Sequence, residues 1–390
     1  MKILFYADTV FGVGGVQRVL AVMAQALARD HEVTILTTDR HADMTMYDYC
    51  RHPVRFSYIT YDSPHDVQYL WCKALSFCYK KLLPKTSLTA RLYSYSFFLP
   101  RYKRALVAAV NASGCDVVVG VHAFLSLHIA SVRRRLKVPV AIGWMHNSYE
   151  ALFSNHETYL PGLKDFFASE MRKIDRVVVL SHSDEALFCE RLRLPAVAIY
   201  NPLTLQPRGR GSAAHKRFVA VGRFSPRHKG FDLLIRAFAL FAPAHPGWTL
   251  EIVGEGDEEP LYRRLIAEAG LGERVILSPF TTDIQSHYAA ASVYVLSSRW
   301  EGFGLVIVEA MAHGLPVVAA DVPVARELLE GRGVAMLFPR GDVAAMADAM
   351  ERMADSPCIE TMGERAADYA RQFTVDGVCR QWLQLMGGGR

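Results

Sequence analysis

Two glycines and two glutamates stand close together in the segment Ser297–Ala312, where a strand-like apolar run gives way to a helical pattern. Gly302 and Gly304 allow the backbone to turn tightly and to approach a ligand closely. The amides from Gly304 to Val306 then open the helix, so they have no acceptor within it, and the helix dipole favours an anion beside them. The segment therefore predicts a phosphate-binding site.

The glutamates of this segment, Glu301 and Glu309, are eight positions apart. We expect Glu301 at the mouth of the loop and Glu309 on the helix. A carboxylate accepts hydrogen bonds from two hydroxyl groups, which suits the ribose of a nucleotide or the diol of a sugar. The pair predicts a sugar-bearing ligand next to the phosphate site.

A second motif runs from Val221 to Phe231 and also follows a strand-like run. Arg223 and Lys229 lie six positions apart in its loop. The Arg223 guanidinium can bind two phosphate oxygens at once, and Lys229 adds a point charge. Together they predict stabilisation of a diphosphate leaving group as its negative charge grows.

The Gly-rich turn Gly12–Gln17 follows the first predicted strand and contains Gly14 and Gly15. Position 17 is Gln where the dinucleotide-binding pattern has its third glycine, although Asp39 stands where a ribose-binding acid would stand. A dinucleotide site and a Gly-rich turn beside an acceptor or a phosphate both remain open. We favour the second.

Two histidines follow predicted strands at their carboxyl ends: His122 after Val117–Val121 and His146 two residues after Trp144. Each can bind a sugar hydroxyl or transfer a proton. The chain has no D-x-D pair to chelate a metal ion, so we expect Arg223, Lys229 and backbone amides to neutralise the diphosphate without one.

Strands that alternate with helices position these residues and predict parallel sheets covered on both faces. A polar stretch, Thr204–His215, predicts a linker between two such α/β units, and Ala344–Leu385 is expected to be helical throughout. The predicted strands are Ile3–Tyr6, Val33–Thr38, Val117–Val121, Val138–Trp144, Arg176–Leu180, Phe218–Val221, Thr249–Val253, Val275–Leu277, Val293–Leu296 and Val317–Ala319. The predicted helices include Val16–Ala28, Phe231–Phe241, Leu261–Ala269 and Val306–Ala312.

The 390 residues carry a net charge of +5, and the segment 67–115 holds eight basic residues, nine aromatic ones and no acid. Such a segment suits a membrane surface or an anionic lipid-linked ligand, and it equally suits amphipathic helices that pack their aromatics inward. Nucleic acid is disfavoured because no binding module accompanies it. The seven cysteines include no C-x-x-C pair, no apolar run reaches about 18 residues, and the N-terminus is typical of a strand, so we expect a reduced, cytoplasmic protein.

Four stretches, "EGFGLVIVE" from Glu301, "VGR…KG" from Val221, Asn201-Pro202 and "GVGGVQRVL" from Gly12, resemble the retaining glycosyltransferases of family four. The resemblance implies the α/β GT-B fold, with two Rossmann-like domains facing each other across a deep cleft. The implied domains are an acceptor-binding domain over residues 1–203 and a donor-binding domain over 204–370. Residues 371–390 would form a C-terminal helix that crosses back to the first domain.

The resemblance also implies roles for individual residues. His122 and Glu301 would be catalytic, and His146 and Gly14 would bind the acceptor. The implied donor-binding residues are Gly15, Arg223, Lys229, Phe303, Gly304, Leu305, Val306 and Glu309. The resemblance implies that no metal is required. No other cofactor is expected, since the nucleotide sugar is a co-substrate.

The leading hypothesis is transfer of a hexose or N-acetylhexosamine, from a UDP-sugar first of all, to a lipid-linked or lipopolysaccharide-type glycan at the inner face of the cytoplasmic membrane. Since no carboxylate nucleophile is evident, we expect same-face attack, in which the departing phosphate oxygen takes the acceptor's proton. The alternatives are a nucleotide-sugar 2-epimerase of the same fold and a non-catalytic nucleotide-sugar-binding membrane adaptor.

Overall fold

The computed structural model describes residues 1–61, 66–84, 86–154, 159–225 and 228–387, with the backbone alone at Ser87. Lys85 of the basic segment, Pro226 and Arg227 of the second motif, and residues 388–390 lie outside the described residues. The chain divides into two compact units. Unit 1 comprises Met1–Pro202 with Val375–Arg390, and unit 2 comprises Leu203–Thr374.

Unit 1 is built on a seven-stranded parallel sheet in the order β3-β2-β1-β4-β5-β6-β7. Its central strands are buried on both faces, which explains their nearly continuous apolar sequence. The strands are β1 Lys2–Ala7, β2 Glu32–Thr37, β3 Arg55–Tyr58, β4 Val117–Val121, β5 Val140–Trp144, β6 Arg176–Val179 and β7 Ala196–Ala198.

Helices cover this sheet, and three of them, α2 to α4, arise from the basic aromatic segment. The helices of unit 1 are α1 Gly15–Leu27, α2 Val67–Lys81, α3 Ser87–Phe97, α4 Pro100–Ser113, α5 His122–Val132, α6 Tyr149–Phe153, α7 Lys164–Met171 and α8 His182–Leu192. Short 3-10 turns cover Met46–Arg51 and Arg133–Arg135. None of the helices in the described part of the chain is long and apolar enough to cross a lipid bilayer.

Unit 2 repeats the plan with a six-stranded parallel sheet in the order β10-β9-β8-β11-β12-β13. After β7 the chain has no helix or strand until the 3-10 turn Ala213–His215, which agrees with the linker expected over Thr204–His215. The strands are β8 Arg217–Val221, β9 Thr249–Val253, β10 Val275–Ser278, β11 Val293–Leu296, β12 Val317–Ala320 and β13 Ala335–Phe338.

The helices of unit 2 are α9 Phe231–Phe241, α10 Glu259–Glu268, α11 Ile284–Ala289, α12 Leu305–Ala312, α13 Pro323–Leu329, α14 Val343–Ala354 and α15 Ile359–Ala370, and α16 Val375–Gly387 follows. The expectation of one continuous helical segment over Ala344–Leu385 is wrong, because the chain breaks before α15 and again before α16. Pro357 explains the first break, since proline has no N–H to donate and disfavours helical backbone at the residue before it.

Helix α16 belongs to unit 1, although α9 to α15 before it belong to unit 2. Its apolar face packs against α1, where Cys379 Sγ lies 3.9 Å from Met23 Sδ. The buried indole of Trp382 meets Trp144 of β5 edge-on, with ring centroids 4.8 Å apart. The C-terminal helix is therefore part of the core of unit 1.

Candidate functional site

The site in unit 2 begins with two loops that leave the same edge of the sheet, because β8 and β11 are paired neighbours. The loop after β8 ends at Gly230, and the loop after β11 starts at Ser297. Hydrogen bonds join them, among them one from Arg299 N to His228 O over 2.9 Å and one from Ser297 Oγ to Lys229 O over 2.8 Å. Strand order thus brings together two motifs that are about 70 residues apart in sequence.

The approach of the two loops depends on Gly230, which has a φ of 67°. A Cβ at this position would lie 2.3 Å from the carbonyl oxygen of Ser297. His228, two residues before Gly230, also joins the loops. Its Nε2 donates to Trp300 O over 3.0 Å, and the His228 and Trp300 rings stack with centroids 5.0 Å apart. Arg299 also binds both carboxylate oxygens of Asp232 on α9, at 3.1 and 2.9 Å.

Lys229 and Glu301 form a buried ion pair between these loops. Lys229 Nζ donates to Glu301 Oε1 over 2.6 Å, and the two side chains are only 14% and 7% exposed. Ser298 Oγ donates to the same Glu301 oxygen over 2.7 Å. Gly222 leaves room for the lysine, since a Cβ there would stand 2.9 Å from Lys229 Cε. Lys229 and Ser298 therefore fix the orientation of the Glu301 carboxylate and stabilise its charge.

The electrostatics of this pair keep Glu301 ionised. Burial alone would raise the pKa of Glu301, but the charge and hydrogen bond of Lys229, with His228 and Ser298, outweigh it and lower that pKa. Burial lowers the pKa of His228, so its ring is neutral at pH 7 and carries its proton on the Nε2 that donates to Trp300. Lys229 supplies the positive charge of the pair.

Helix α12 starts at Leu305 directly after the second loop, and Gly304 at its N-cap has a φ of 75°. Among the described residues no side chain caps this helix, and its first turn holds no acid. The N–H groups of Leu305 and Val306 have no acceptor within the helix. This end of α12 is therefore open to an anion. Its N-cap residue, Gly304, lies three residues after Glu301 of the ion pair.

Glu309 lies on the second turn of α12 and is almost completely buried. Tyr288 donates to its Oε2 over 3.2 Å. Below it, burial in β11 raises the pKa of Tyr294, and the nearby carboxylates of Glu301 and Glu309 raise it further. Phe303 is buried, with its ring 6.1 Å from that of Phe373, while Arg223 is exposed at the start of its loop.

In unit 1, the Gly-rich turn after β1 is held by groups from two other loops. Asp39 Oδ2 accepts the N–H of Val10 over 2.6 Å and that of Phe11 over 3.3 Å. Tyr47 donates to Gly12 O over 3.0 Å and accepts the N–H of Gly14. The Asp39 carboxylate therefore supports the Gly-rich turn.

The same turn ends at the N-terminus of α1. Gly15 is the first residue of this helix, and among the described residues no side chain caps it. Its first turn contains no acidic residue. The N-terminus of α1 thus lies at the carboxyl end of β1 without a capping side chain from the described residues, while the N–H of Gly14 is already bonded to Tyr47.

His122 lies opposite this turn, because β4 pairs with β1. Its Nε2 is 3.3 Å from both carboxylate oxygens of Asp8, and its Nδ1 accepts the N–H of Phe124 over 3.3 Å. Burial would raise the pKa of Asp8, but bonds from His122 and Thr9 lower it to about 2. His122 has a φ of 61°, a strained conformation for a non-glycine residue that is common at functional sites.

His146 lies next to this pair but is nearly fully buried against Trp144, with ring centroids 4.4 Å apart. Burial, together with the neighbouring His122, lowers the pKa of His146 to about 3. It is therefore neutral at physiological pH.

The basic aromatic segment packs some of its aromatic side chains inward and leaves others exposed. Tyr79 and Tyr93 stack inside unit 1 at 4.3 Å, and Lys103 is buried, which lowers its pKa to about 8. Trp71 and Phe77 remain about 60% exposed on α2. The exposed cations are Lys73, Lys80, Lys81, Arg91 and Arg104. The segment forms three helices, α2 to α4.

Sequence reasoning missed four polar side chains that the structure adds to the site. Asp8 forms a hydrogen bond with His122, and Ser298 forms one with Glu301, so each contacts a candidate catalytic residue directly. Tyr288 bonds Glu309, and His228 joins the two loops. Asp8 stands directly after an apolar strand-like run and Ser298 stands two residues after one, which was the available signal.

Two family models match the chain in turn. Glycosyltransferase Family 4 matches residues 13–206, and Glycosyl transferases group 1 matches residues 215–356. Together these matches cover most of both units. The chain belongs to the family-four glycosyltransferases, and the resemblance read from its motifs is confirmed.

Individual relatives agree with this assignment. A Haemophilus influenzae protein known as an uncharacterized glycosyltransferase is 28% identical over 216 residues, 54% of this chain and 61% of that protein. The lipopolysaccharide core biosynthesis mannosyltransferase LpsB of Rhizobium meliloti is 34% identical over 148 residues, 36% of this chain and 42% of that protein. The chain thus spans about half the length of these two relatives.

Among solved structures, the UDP complex of HepE from Anabaena is similar over 100% of both chains, with a TM-score of 0.72 and 20% identity. At this identity the likeness concerns the fold. The predicted α/β GT-B fold with two Rossmann-like domains is confirmed.

Proposed function

We propose that the protein transfers a glycosyl group from a nucleoside-diphosphate sugar to a hydroxyl group of a lipid-linked or lipopolysaccharide-type glycan. The observation that carries the proposal is the buried Lys229–Glu301 pair beside the open N-terminus of α12. This arrangement combines a cation and free amides for phosphate oxygens with an ionised carboxylate for sugar hydroxyls.

The diphosphate of the donor is assigned to Lys229, Arg223 and the amides of Leu305 and Val306. The ammonium group of Lys229 has three N–H groups. One of them donates to Glu301, so two remain for phosphate oxygens. Arg223 is exposed and can close over the second phosphate from the same loop. Fixed donors of this kind stabilise charge that develops on a leaving group.

The sugars of the donor are assigned to the two glutamates. Glu301 is ionised and oriented by Ser298, which suits the hydroxyls of the transferred sugar. Glu309, one helical turn below the open amides, suits the ribose hydroxyls. A uridine donor is supported by Anabaena HepE, which has been solved with UDP and with UDP-glucose.

The reaction is proposed to retain the anomeric configuration by same-face attack, with the departing phosphate oxygen accepting the acceptor's proton. Glu301 is a poor nucleophile, because Lys229 and Ser298 both bind its Oε1. The anomeric configuration of the product, measured by NMR, tests retention. A trapped covalent glycosyl-enzyme would contradict same-face attack.

The acceptor side is supported by LpsB, whose name assigns it to lipopolysaccharide core synthesis. We place the acceptor in unit 1, with His122 oriented by Asp8 and with His146 and Gly14 nearby. Binding to a membrane surface is supported by the exposed apolar side chains of α2 and α3, Trp71, Phe77 and Leu88, among exposed lysines.

Sedimentation with vesicles tests the membrane contact. Wild-type protein should bind vesicles that contain phosphatidylglycerol more strongly than vesicles of phosphatidylcholine alone. Trp71→Ala with Phe77→Ala should weaken that binding, while Leu240→Ala, an equally exposed apolar residue on α9 of unit 2, should not. Equal binding by all three proteins would contradict the membrane contact.

A donor panel tests the transferase itself. UDP-glucose, UDP-galactose, UDP-N-acetylglucosamine and GDP-mannose are added in turn, and one should raise the melting temperature by binding the native state. Glu301→Gln should reduce turnover of that donor by about 10²–10³-fold. Glu268→Gln, an exposed surface glutamate paired with Arg264, is the matched control and should leave turnover unchanged. Unchanged turnover in Glu301→Gln would contradict the proposal.

A further inference from the structure

A histidine and two carboxylates meet in unit 2, away from the loop after β8. His245 lies in the turn between α9 and β9, and Glu351 and Asp355 lie one helical turn apart at the C-terminal end of α14. One ligand atom from each of the three residues lies within 4.8 Å of the other two. Helix α9 starts where the loop after β8 ends and is 11 residues long, so about 16 Å of helix separates this cluster from that loop.

The imidazole ring of His245 is held in one orientation. It stacks flat on the buried ring of Phe241, with the centroids 4.3 Å and the planes 4° apart. Arg274 fixes the backbone of the same turn, because its guanidinium donates to the carbonyl oxygens of Ala242, His245 and Trp248 over 2.7, 2.6 and 2.7 Å. A ligand that binds His245 therefore meets a ring that is already positioned.

Both ring nitrogens of His245 face oxygen atoms. Nδ1 lies 3.4 Å from the carbonyl oxygen of Phe241, and Nε2 lies 3.1 Å from Oδ1 of Asp355. A neutral imidazole has a single N–H and cannot donate to both oxygens. When Nδ1 holds the proton, which is the arrangement that a backbone carbonyl fixes in metal-binding histidines, the Nε2 lone pair points at a carboxylate oxygen. A cation bound to both atoms removes this repulsion.

The two carboxylates of the cluster stand where a helix disfavours them. The C-terminal end of a helix carries a partial negative charge, and Glu351 and Asp355 also repel each other at a spacing of four residues. Arg352 in the same turn donates to Asp348 over 2.8 Å. Within the described part of the chain, neither Glu351 nor Asp355 forms an ion pair with a lysine or an arginine. A bound cation supplies the missing positive charge.

The ligand types select the metal. One imidazole nitrogen with two carboxylate oxygens is a donor set for zinc, whereas Mg²⁺ and Ca²⁺ prefer oxygen ligands alone. Neighbouring ligand atoms of a tetrahedral zinc ion are about 3.3 Å apart. The distance of 3.1 Å between His245 Nε2 and Asp355 Oδ1 is close to that spacing. Glu351 is exposed, so its side chain can turn to complete the set.

We infer that His245, Glu351 and Asp355 bind a zinc ion, with a water molecule as the fourth ligand. The ion joins the turn after α9 to the end of α14, so it stabilises unit 2 and takes no part in glycosyl transfer. The inference goes beyond the proposed function and does not depend on it.

Isothermal titration calorimetry with zinc chloride tests the inference on the full chain, without an affinity tag and after treatment with EDTA that is then removed. Wild-type protein should bind zinc, and its melting temperature should rise with the zinc concentration. His245→Ala and Asp355→Asn should each weaken zinc binding about tenfold or more, since even the loss of an outer partner of a metal ligand costs about 10–100-fold. Magnesium chloride at the same concentration should not change the melting temperature.

Asp348→Asn is the matched control. Asp348 lies on the same helix and is as exposed as Asp355, at 65% against 64%, but it is not part of the cluster. This variant should bind zinc as the wild type does. His245→Ala loses the stack on Phe241, whereas Asp355→Asn changes only an exposed side chain and should remain folded. Asp355→Asn therefore decides the test even if His245→Ala does not fold.

Two results of the titrations overturn the inference. Wild-type protein that does not bind zinc would show that a proton alone joins His245 to Asp355. Equal zinc affinity in Asp355→Asn and wild-type protein would show that other histidines or the exposed cysteines hold the ion.

Two further measurements place the ion. Magnesium that displaces zinc at equal concentration would reduce the cluster to an acidic surface and overturn the zinc assignment. UDP binding should be equal with and without zinc, because α9 separates the ion from the loop after β8. A requirement of UDP binding for zinc would overturn the purely stabilising role, whereas loss of UDP binding in all samples would count against the proposed function alone.

Discussion

Replacing Lys229 by Met should leave the Glu301 carboxylate buried without its counter-ion. The two atoms of the pair are 2.6 Å apart and both side chains are largely buried, so solvent offers little compensation. Removing one partner of such a pair costs about 3–5 kcal/mol, and we expect about 3 kcal/mol here because Ser298 still donates to Glu301.

The double variant Lys229→Met with Glu301→Gln separates stability from function. Since neither charge then remains, we expect a loss of only about 1 kcal/mol, which is a recovery of about 2 kcal/mol relative to Lys229→Met alone. Turnover should not return, because the diphosphate cation and the sugar carboxylate are both absent. Urea unfolding measures the first quantity and release of UDP measures the second.

The pH dependence gives an independent readout. In the wild type the pKa of Glu301 is lowered, so its stabilising contribution is present above the pKa of the unfolded chain and is lost on acidification. In Lys229→Met burial dominates and raises that pKa, so the variant should recover stability as the pH falls from 7 toward 5. Additive stability effects with normal turnover in the double variant would refute the account of this pair.

Three further predictions concern single residues. Between pH 6 and 4, His128→Asn should reduce the fall in unfolding free energy on acidification by up to about 1.4 kcal/mol per pH unit, measured by urea titration. The reason is that His128 stays neutral in the folded protein, with a pKa of about 3, and becomes protonated in the unfolded chain. An unchanged dependence of the unfolding free energy on pH would contradict the burial of His128. Gly304→Ala should raise the donor KM at least about fivefold, because its φ of 75° disfavours alanine and a Cβ would lie 2.9 Å from Ile307 Cδ1; wild-type kinetics would show that the turn is not needed. Asp39→Ala should cost about 1–3 kcal/mol of unfolding free energy, since two amides of the Gly-rich turn lose their acceptor; a loss below about 0.5 kcal/mol would argue against this support.

Strands buried on both faces were predictable from sequence, because they are short apolar runs followed by Gly or polar residues. Val117–Val121, Thr249–Val253 and Val293–Leu296 were predicted with their observed bounds. The edge strands β3, β7 and β13 were missed. All three are short and partly exposed: β3 lacks a continuous apolar run, whereas β7 and β13 are apolar but only three and four residues long.

Within the site, the sequence was enough to identify the motifs, but it did not predict which motifs contact each other. The contact of Lys229 with Glu301 depends on β8 and β11 being neighbours, and strand order is not encoded in local spacing. The support that Asp39 gives to the Gly-rich turn could not be predicted for a similar reason, because a carboxylate after β2 can face a ligand or a neighbouring turn with the same sequence pattern. The roles assigned to His122, His146 and the donor-binding residues stay predictions.

A crystal structure of the protein with UDP, grown in the presence of EDTA, tests the central claim most directly. We expect the diphosphate oxygens to lie within about 3.2 Å of Lys229 Nζ, of the Arg223 guanidinium and of the amides of Leu305 and Val306. A diphosphate bound away from Lys229 and Arg223, or UDP that binds only when a divalent cation is supplied, would contradict the account.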